Sequence, residues 1–457
     1  MSDEQVIRPY QYEGIAFLAT TPFALLADEP GVGKTAQAIV ASDVVGADRT
    51  LVLAPASAGV MWRRRFAEWS VYSHECRVMA TRKDRPLEAG VTICSYDLAA
   101  KKPLSDKLRK CEWDLVILDE SHYVKSRGSA RSRLVWNGIF PNAKRVWALS
   151  GTPCPNNIAE LYPMLQAFGA YTGKYWDFVA EFCTGYDSGY RFSITGNRRT
   201  ALPKFRRMLK PYMLRRMKTD VLPDLPPLTF DTIEIPPGVV DKEIHFYSWT
   251  IGRHPRSLEQ VVRDEQAQLL AQIDGGRWEP PQVDGKTDGS ERPFATMRKY
   301  VGLQKVEGYV DHVIEDLRTG AIDKLVVFGV HQMVLESITL RLKEFGAAII
   351  YGGTKAEIRQ RRIDAFQNPR SKARVIVANI TAAGTAIDLF AAANVDIIEP
   401  SYSPAWNAQA IMRVHRSGQT RPVLARFFVL DDEVDQRVVE IIKRKTKDLA
   451  EAGLAIY

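Results

Sequence analysis

The chain has 457 residues, 46% hydrophobic and 25% charged, with a formal net charge of +8. That is the balance of a globular protein with a large core and two or three domains, not of a disordered or fibrous one, and the positive excess favours a polyanionic partner. The polar start MSDEQVIRPY is not a signal peptide, no apolar run approaches the roughly 18 residues of a membrane span, and five scattered cysteines without a C-x-x-C pair predict a reduced, intracellular protein lacking structural zinc.

The first informative element is a short apolar run, Phe23–Leu26, leading into ADEPGVGKT (27–35) and then a helical stretch. A strand entering a glycine loop that ends in Lys-Thr is the pattern of a phosphate cradle. Gly31 and Gly33, flanking Val32, allow dihedrals that a Cβ would penalise, so that successive N–H groups can face phosphate oxygens. Lys34 brings a charge to the β- and γ-phosphates, Thr35 a hydroxyl suited to Mg²⁺, and the following helix its N-terminal partial charge. Asp28 stands where the strict pattern has glycine, and Pro30 has no N–H to donate.

Further along, Thr50–Ala56, Gly90–Tyr96, Asp114–Glu120 and Arg145–Gly151 are Val/Ile/Leu-rich runs bounded by breakers, as buried parallel strands are. Helical patterns such as Ser57–Trp69 lie between them. From about Asn156 to Arg216 the pattern turns helical and aromatic, and a proline-punctuated stretch, Asp224–Gly238, follows. Gly275–Pro293 reads as a mobile loop. A second alternation has strands at Lys324–Val330, Ala347–Gly353, Ala373–Ile380, Val395–Pro400 and Leu424–Leu430, and an amphipathic helix over 432–452 closes the chain.

DLVILDESH ends a strand in two acids. Asp119 is placed to hold Mg²⁺ with Thr35, and Glu120 to orient and deprotonate a water. Ser150-Gly151-Thr152 follows the next strand, either as a link, through its hydroxyls, between the phosphate site and the neighbouring domain or as a simple turn. In QAIMRVHRSGQ (409–419), Arg413 and Arg416 share a helical face. They are either a γ-phosphate clamp acting across a domain interface or a solvated basic helix end. Basic clusters at Trp62–Arg65, Lys125–Arg127 and Arg206, Arg207, Lys210, Arg215, Arg216 suit phosphate-backbone contacts, which are salt-dependent and largely sequence-independent. Arg215 and Arg216 have interdomain salt bridges as an alternative role.

The ordered set of segments resembles the Swi/Snf-related ATPases of helicase superfamily two. It comprises RPYQYEGIAFL (8–18), DEPGVGKT, LVLAPASAGVMWRRRFAEW (51–69), CSYD (94–97), DESH (119–122), LSGTP (149–153), LRRMKTDVLPDLP (214–226), YGGTKAEIRQRRIDAFQ (351–367), ITAAGTAIDL (380–389) and QAIMRVHRSGQ. That superfamily uses Asp at position 28. DESH, VFGVHQMVLESI (327–338) and RVHRSGQ are most similar to the HepA-related, annealing-helicase branch.

The resemblance implies an α/β fold of two tandem RecA-like parallel-sheet lobes with helical insertions between them. The N-terminal lobe would span 1–225 with its insertion at about 156–216, a linker or protrusion 226–293, and the C-terminal lobe 294–457. It implies ATP and Mg²⁺ as cofactors, with Arg8 and Gln11 near adenine and Gln409 supporting Arg413 and Arg416. Ser150, Thr152 and His122 would couple nucleotide state to nucleic acid, and Pro55, Ala56, Ser95, Tyr96, Lys125, Gly352, Gly353 and Thr381 would contact it. Pro30 replaces a usual Met, Ala386 a usual Gly, and Tyr402-Ser403-Pro404 a usual Trp-Asn-Pro.

The expected function is an ATP-dependent double-stranded DNA translocase that remodels or reanneals DNA. The alternatives are a strand-separating helicase, a remodeller of protein–nucleic-acid complexes such as stalled RNA polymerase, and an ATP-gated clamp without turnover. The expected partners are double-stranded or branched DNA and a replication, repair or transcription protein. A monomer without an appended domain or a membrane is expected, in the cytoplasm of a bacterial or virus-infected cell.

Overall fold

The computed structural model describes residues 6–187, 192–240, 292–380, 387–416, 418–430 and 433–454. They fall into two compact units. One is drawn from Met1–Thr184, Gly196–Leu225 and Lys445–Tyr457, the other from Gly185–Thr195 and Pro226–Arg444.

The first unit opens with helix α1 (Pro9–Thr20), which starts on a proline whose missing N–H costs nothing there. Strands β1 (Phe23–Leu26), β2 (Arg49–Ala54), β3 (Cys76–Val78), β4 (Gly90–Ser95), β5 (Leu115–Asp119) and β6 (Val146–Leu149) follow in chain order. Helices α2 (Lys34–Val44) and α3 (Gly59–Trp69) come directly after β1 and β2. β7 (Cys183–Asp187) and β8 (Phe192–Asn197) pair, among the described residues, only with each other, and Gly185–Thr195 of this ribbon groups with the second unit; β9 (Met213–Leu214) returns to the edge beside β1. The sheet order is β3-β4-β2-β5-β6-β1-β9, every pairing parallel. Leu26, Val52, Ile93, Ile117 and Leu149 meet Leu18, Ile39, Trp62 and Phe66 in one core, which is why these strands read as continuous apolar runs.

The second unit holds β10 (Leu228–Ile235), β11 (Leu325–Gly329), β12 (Ala348–Ile350), β13 (Val375–Asn379), β14 (Asn394–Ile397) and β15 (Val423–Leu430). They form a parallel sheet in the order β10-β15-β14-β11-β13-β12. Successive residues of β11 feed opposite faces: Leu325 and Val327 pack in one cluster, Val326 and Phe328 in the other. Helices Arg292–Thr319, Gln332–Arg341, Ala356–Gln367, Pro404–Ile411 and Glu433–Glu451 complete the αβ alternation, the residues of the last from Lys445 on belonging to the first unit.

The α/β class of two parallel-sheet lobes is therefore as expected. Two local features differ. The segment expected to be helical between Asn156 and Arg216 also carries the β7–β8 ribbon. The proline-punctuated stretch after Asp224 contains β10, an edge strand paired with β15 along its whole length. Most of its side chains face solvent, so its sequence lacks the apolar signature of the central strands. Of the loop expected at 275–293, residues 275–291 lie outside the described residues, as do Thr381 and Ala386, while Arg292 already begins a helix. Among the described residues, no helix is long and apolar enough to cross a membrane.

Candidate functional site

In the first sheet β5, β6 and β1 are neighbours, and their carboxyl ends carry Asp119, Ser150 and the 27–35 loop side by side. Open α/β sheets bind ligands at this edge.

Gly31 and Gly33 adopt φ of +92° and +85°, in the left-handed region open to glycine. A Cβ on Gly33 would overlap the Gln11 amide. Gln11 Nε2 donates to the Val32 carbonyl at 3.3 Å, Gln11 Oε1 accepts the Arg8 N–H at 2.8 Å, and the Tyr10 hydroxyl donates to Val32 O at 3.0 Å. The start of α1 is thus pinned to the loop. Lys34 Nζ rests on the loop's own carbonyls, Asp28 O at 2.6 Å and Glu29 O at 3.0 Å. Burial pushes its ammonium pKa down, against the charges of Glu120, Asp28 and Asp119. Thr35 follows in the first turn of α2.

Asp28 is fully buried. Its carboxylate accepts the Arg216 backbone N–H and Nε, both at 3.1 Å to Oδ1, and Arg216 Nη2 at Oδ2. A glycine at position 28 would remove this guanidinium's buried counter-charge and leave it only Glu13, whose side chain is largely exposed. Pro30 lies against Gly151, where a Cβ would come 2.6 Å from Pro30 Cδ. The proline ring thus fills the space over the bare glycine of the SGT segment.

Asp119 Oδ2 accepts the Trp62 indole N–H at 2.7 Å. Burial, then the adjacent Glu120 charge, raise the Asp119 carboxyl to about 7, against the Trp62 hydrogen bond and the Lys34 charge. Glu120 is the one non-glycine described residue with positive φ, +50°. Such a conformation costs roughly 1–3 kcal/mol and marks a position held by its surroundings. Its Oε2 lies 3.3 Å from His122 Nδ1 and accepts Ser150 Oγ at 3.5 Å, while His122 Nδ1 and Ser150 Oγ are 3.2 Å apart. The Thr152 N–H donates to Ser150 Oγ at 3.2 Å. The acidic motif, His122 and the SGT segment therefore form one connected cluster.

Of the nucleic-acid candidates in this unit, Pro55 and Ala56 follow β2, while Ser95 ends β4 and Tyr96 follows it, at the same sheet edge. Ala56 is exposed. Ser95 caps a short helix by accepting the Leu98 N–H, and Tyr96 is buried, its hydroxyl donating to Asp119 O at 2.8 Å. Lys125 Nζ is 2.7 Å from Glu160 Oε1. Burial opposes the Glu160 charge, but Lys125 and Asn156 hold its carboxyl below the ordinary glutamate value.

In the second unit Gly352 and Gly353 lie exposed just after β12. Gln409 is buried in the helix Pro404–Ile411. Arg413 follows it, its carbonyl accepting the Leu389 N–H at 2.9 Å. Arg416 is ion-paired to Asp388 of its own unit.

The basic clusters divide: Arg63, Arg64, Arg65, Arg206, Arg207 and Lys210 are exposed, while Arg215 is half-buried and Arg216 buried. Trp62 and Phe66 turn into the core, and Arg64 and Arg65 pair with Glu68. Arg215 Nη1 donates to Ala27 O at 2.9 Å and Gly151 O at 3.5 Å, and burial lowers its pKa. Arg216 is only 9% exposed. Neither reading of this arginine pair, as a phosphate-contacting cluster or as interdomain bridges, describes Arg216, whose ion pairs lie inside the first unit. Trp62 and Arg216 are the residues of this site that pattern reading missed. The available signal for Trp62 was its four-residue spacing from Phe66, which puts both on the core face of α3.

Two domain families match the chain: the SNF2-related domain over residues 10–274 and the helicase conserved C-terminal domain over 308–418. Among curated proteins, it is 27% identical to the SWI/SNF-related matrix-associated actin-dependent regulator of chromatin subfamily A-like protein 1 of Drosophila melanogaster, covering 98% of this chain and 56% of that protein. The Xenopus laevis protein of the same name is 28% identical, with 98% and 44% covered. The human DNA annealing helicase and endonuclease ZRANB3 is 27% identical, with 96% and 40% covered. The chain thus spans about half the length of these relatives. Among solved structures, the Sulfolobus solfataricus SWI2/SNF2 ATPase core in complex with dsDNA aligns with a TM-score of 0.45 and 21% identity, covering 98% of this chain and 94% of that one. The annealing-helicase resemblance is met by these relatives. The expected cytoplasmic setting in a bacterial or virus-infected cell is overturned: the curated relatives named here are animal proteins, two of them named as regulators of chromatin.

Proposed function

The chain belongs to the SNF2-related family of helicase-like ATPases, and from that premise we propose that it is an ATP-dependent double-stranded DNA translocase that remodels or reanneals DNA structures. The observation that carries the turnover is the Glu120 cluster. A carboxylate held in a left-handed conformation, tied to His122 and Ser150 beside the Lys34 loop, is built to orient and deprotonate a water. A clamp that only binds nucleotide has no need of it.

Lys34 would leave the carbonyls of Asp28 and Glu29 for the β- and γ-phosphates, neutralising charge that builds during transfer. Gln11, with Arg8, would read the adenine side of the loop. Thr35 and Asp119 are one hydroxyl and one carboxylate, and among the described residues no cluster of three or more metal-ligating side chains is present. This sparse set fits Mg²⁺, which keeps waters and substrate phosphates as its other ligands. The ion would supply charge neutralisation at the phosphates. Arg413 and Arg416, supported by Gln409, would complete the site from the second lobe, Arg416 exchanging Asp388 for phosphate. Opening and closing of the lobes, driven by differential affinity for ATP and products, would step the protein along one strand. Ala56, Ser95, Lys125, Gly352, Gly353 and Thr381 are the proposed contacts along that path; Pro55 and Tyr96, both buried, would support their neighbours rather than touch the strand.

The test is ATPase turnover with single-stranded, duplex, forked and RNA ligands, joined to triplex displacement. Duplex or forked DNA should stimulate turnover and support displacement. Absence of DNA stimulation overturns the reading. Unwinding of a tailed duplex would favour the strand-separating helicase instead.

A further inference from the structure

The chain does not leave the first unit directly after its last central strand. Tyr212–Lys218 runs beside the path that enters the phosphate loop and continues past the end of the sheet. Its ladder follows β1 and beyond: Leu25 N–H to Tyr212 O at 2.7 Å, Ala27 N–H to Leu214 O at 2.7 Å and Glu29 N–H to Arg216 O at 3.2 Å. The ladder therefore reaches into the loop itself.

Side chains complete the hold. Arg216 grips Asp28 through its backbone N–H, Nε and Nη2, and the same Nη2 reaches Gln37 Oε1 in α2 at 2.7 Å. Its Nη1 bonds the Tyr10 carbonyl and lies 3.3 Å from Glu13 Oε2 in α1. The Lys218 N–H donates to the Glu29 carboxylate. One arginine thus ties the loop, α1 and α2 together. Burial works against its charge, but Asp28 outweighs it and raises the Arg216 pKa. Gly14 leaves room for this contact, since a Cβ there would displace the Gln37 amide and the Arg216 guanidinium. The two residues whose side chains this strap holds, Asp28 and Glu29, are the two whose carbonyls receive Lys34 Nζ. Seven residues beyond Lys218, at Leu225, the Gly196–Leu225 segment of the first unit ends, and the long segment of the second begins at Pro226.

We propose that Arg216 is a positioning residue for the nucleotide site, and that Tyr212–Lys218 is a strap that sets the phosphate loop according to the chain entering the second unit. It acts through Asp28 and Glu29 on Lys34 and touches no substrate. The proposal deepens the ATPase reading and rests on it for the identity of the ligand.

The probes are fluorescent ADP binding, ATP turnover with duplex DNA, and amide hydrogen exchange, on the full chain. In Arg216→Lys the charge stays but the fork is lost. With the melting temperature little changed, this variant should bind ADP and take ATP about tenfold more weakly, a loss of about 1.4 kcal/mol. The effect should fall on KM more than on kcat. ADP should slow exchange across 212–218 in the wild type and not in the variant. A purely structural arginine would lower the folded fraction and leave KM and the ADP-dependent protection alone. If Arg216→Lys does not fold, Gln37→Met, which removes one acceptor and keeps the ion pair, carries the same test with a smaller shift. Unchanged ADP affinity and KM in a folded variant overturn the strap. Absence of DNA stimulation in the wild type overturns the translocase reading while the ADP arm still judges the strap.

Discussion

Asp28, Pro30 and Gly151 look like departures or fillers in a one-dimensional motif, yet in space each answers another. Asp28 faces Arg216, and the Pro30 ring covers Gly151. Gly151→Ala should therefore push the loop away from the SGT segment and weaken ATP binding, while the Pro30→Ala, Gly151→Ala double variant recovers part of it. Equal effects of the single and double variants in nucleotide titrations would sink that coupling. Gly33→Ala should do more, because its φ of +85° and the nearby Gln11 amide both reject a Cβ. We expect a cost of about 1–3 kcal/mol and near-complete loss of ATP binding. Glu120→Gln should retain nucleotide and DNA binding with turnover reduced at least about a hundredfold; normal turnover would remove Glu120 from the base role.

At the scale of the elements, α3 is the clearest example of a helix whose two faces carry different meanings. Its arginines read as a basic patch, but Trp62 packs in the same core as residues of β2 and β5 and holds Asp119. Trp62→Phe keeps an aromatic ring, smaller than the indole, and removes the N–H. It leaves a carboxylate oxygen without its donor, a loss of about 1–3 kcal/mol, and the Asp119 carboxyl should rise further above 7, the value about which it already lies. In the protein free of metal and nucleotide the Asp119 carboxyl should therefore titrate at higher pH in the variant, and an unmoved titration would show that the indole does not act through Asp119. In the second unit Arg426 of β15 bonds Asp396 of β14 at 2.7 and 2.9 Å, with Tyr309 joining from the helix Arg292–Thr319 at 2.9 Å. Arg426→Met leaves a fully buried carboxylate without its cation and should cost about 3–5 kcal/mol in urea unfolding. The central strands were legible because both their faces are buried. β10, with solvent on most of its residues, was not, and neither was β9, which has only two residues.

For the molecule as a whole, the Asp119 environment gives stability without nucleotide a defined sign. A carboxyl raised from its ordinary 3.8 to about 7 when folded holds its proton longer than the unfolded chain does, so stability falls as pH rises between those values and levels off above. Asp119→Asn should flatten that slope in pH-dependent melting; an unchanged slope would mean that the acid is not strained by burial. The net charge of +8 predicts that DNA stimulation of turnover drops steeply between about 50 and 200 mM salt. The sequence by itself determined the two αβ alternations, the phosphate loop and the acidic pair, because buried parallel strands and phosphate loops impose local patterns on contiguous residues. Only the tertiary structure decided which charges are spent inside the protein. Arg216 meets Asp28 across 188 residues of chain and Trp62 meets Asp119 across 57, and a partner that distant leaves no period or spacing for a linear pattern to carry.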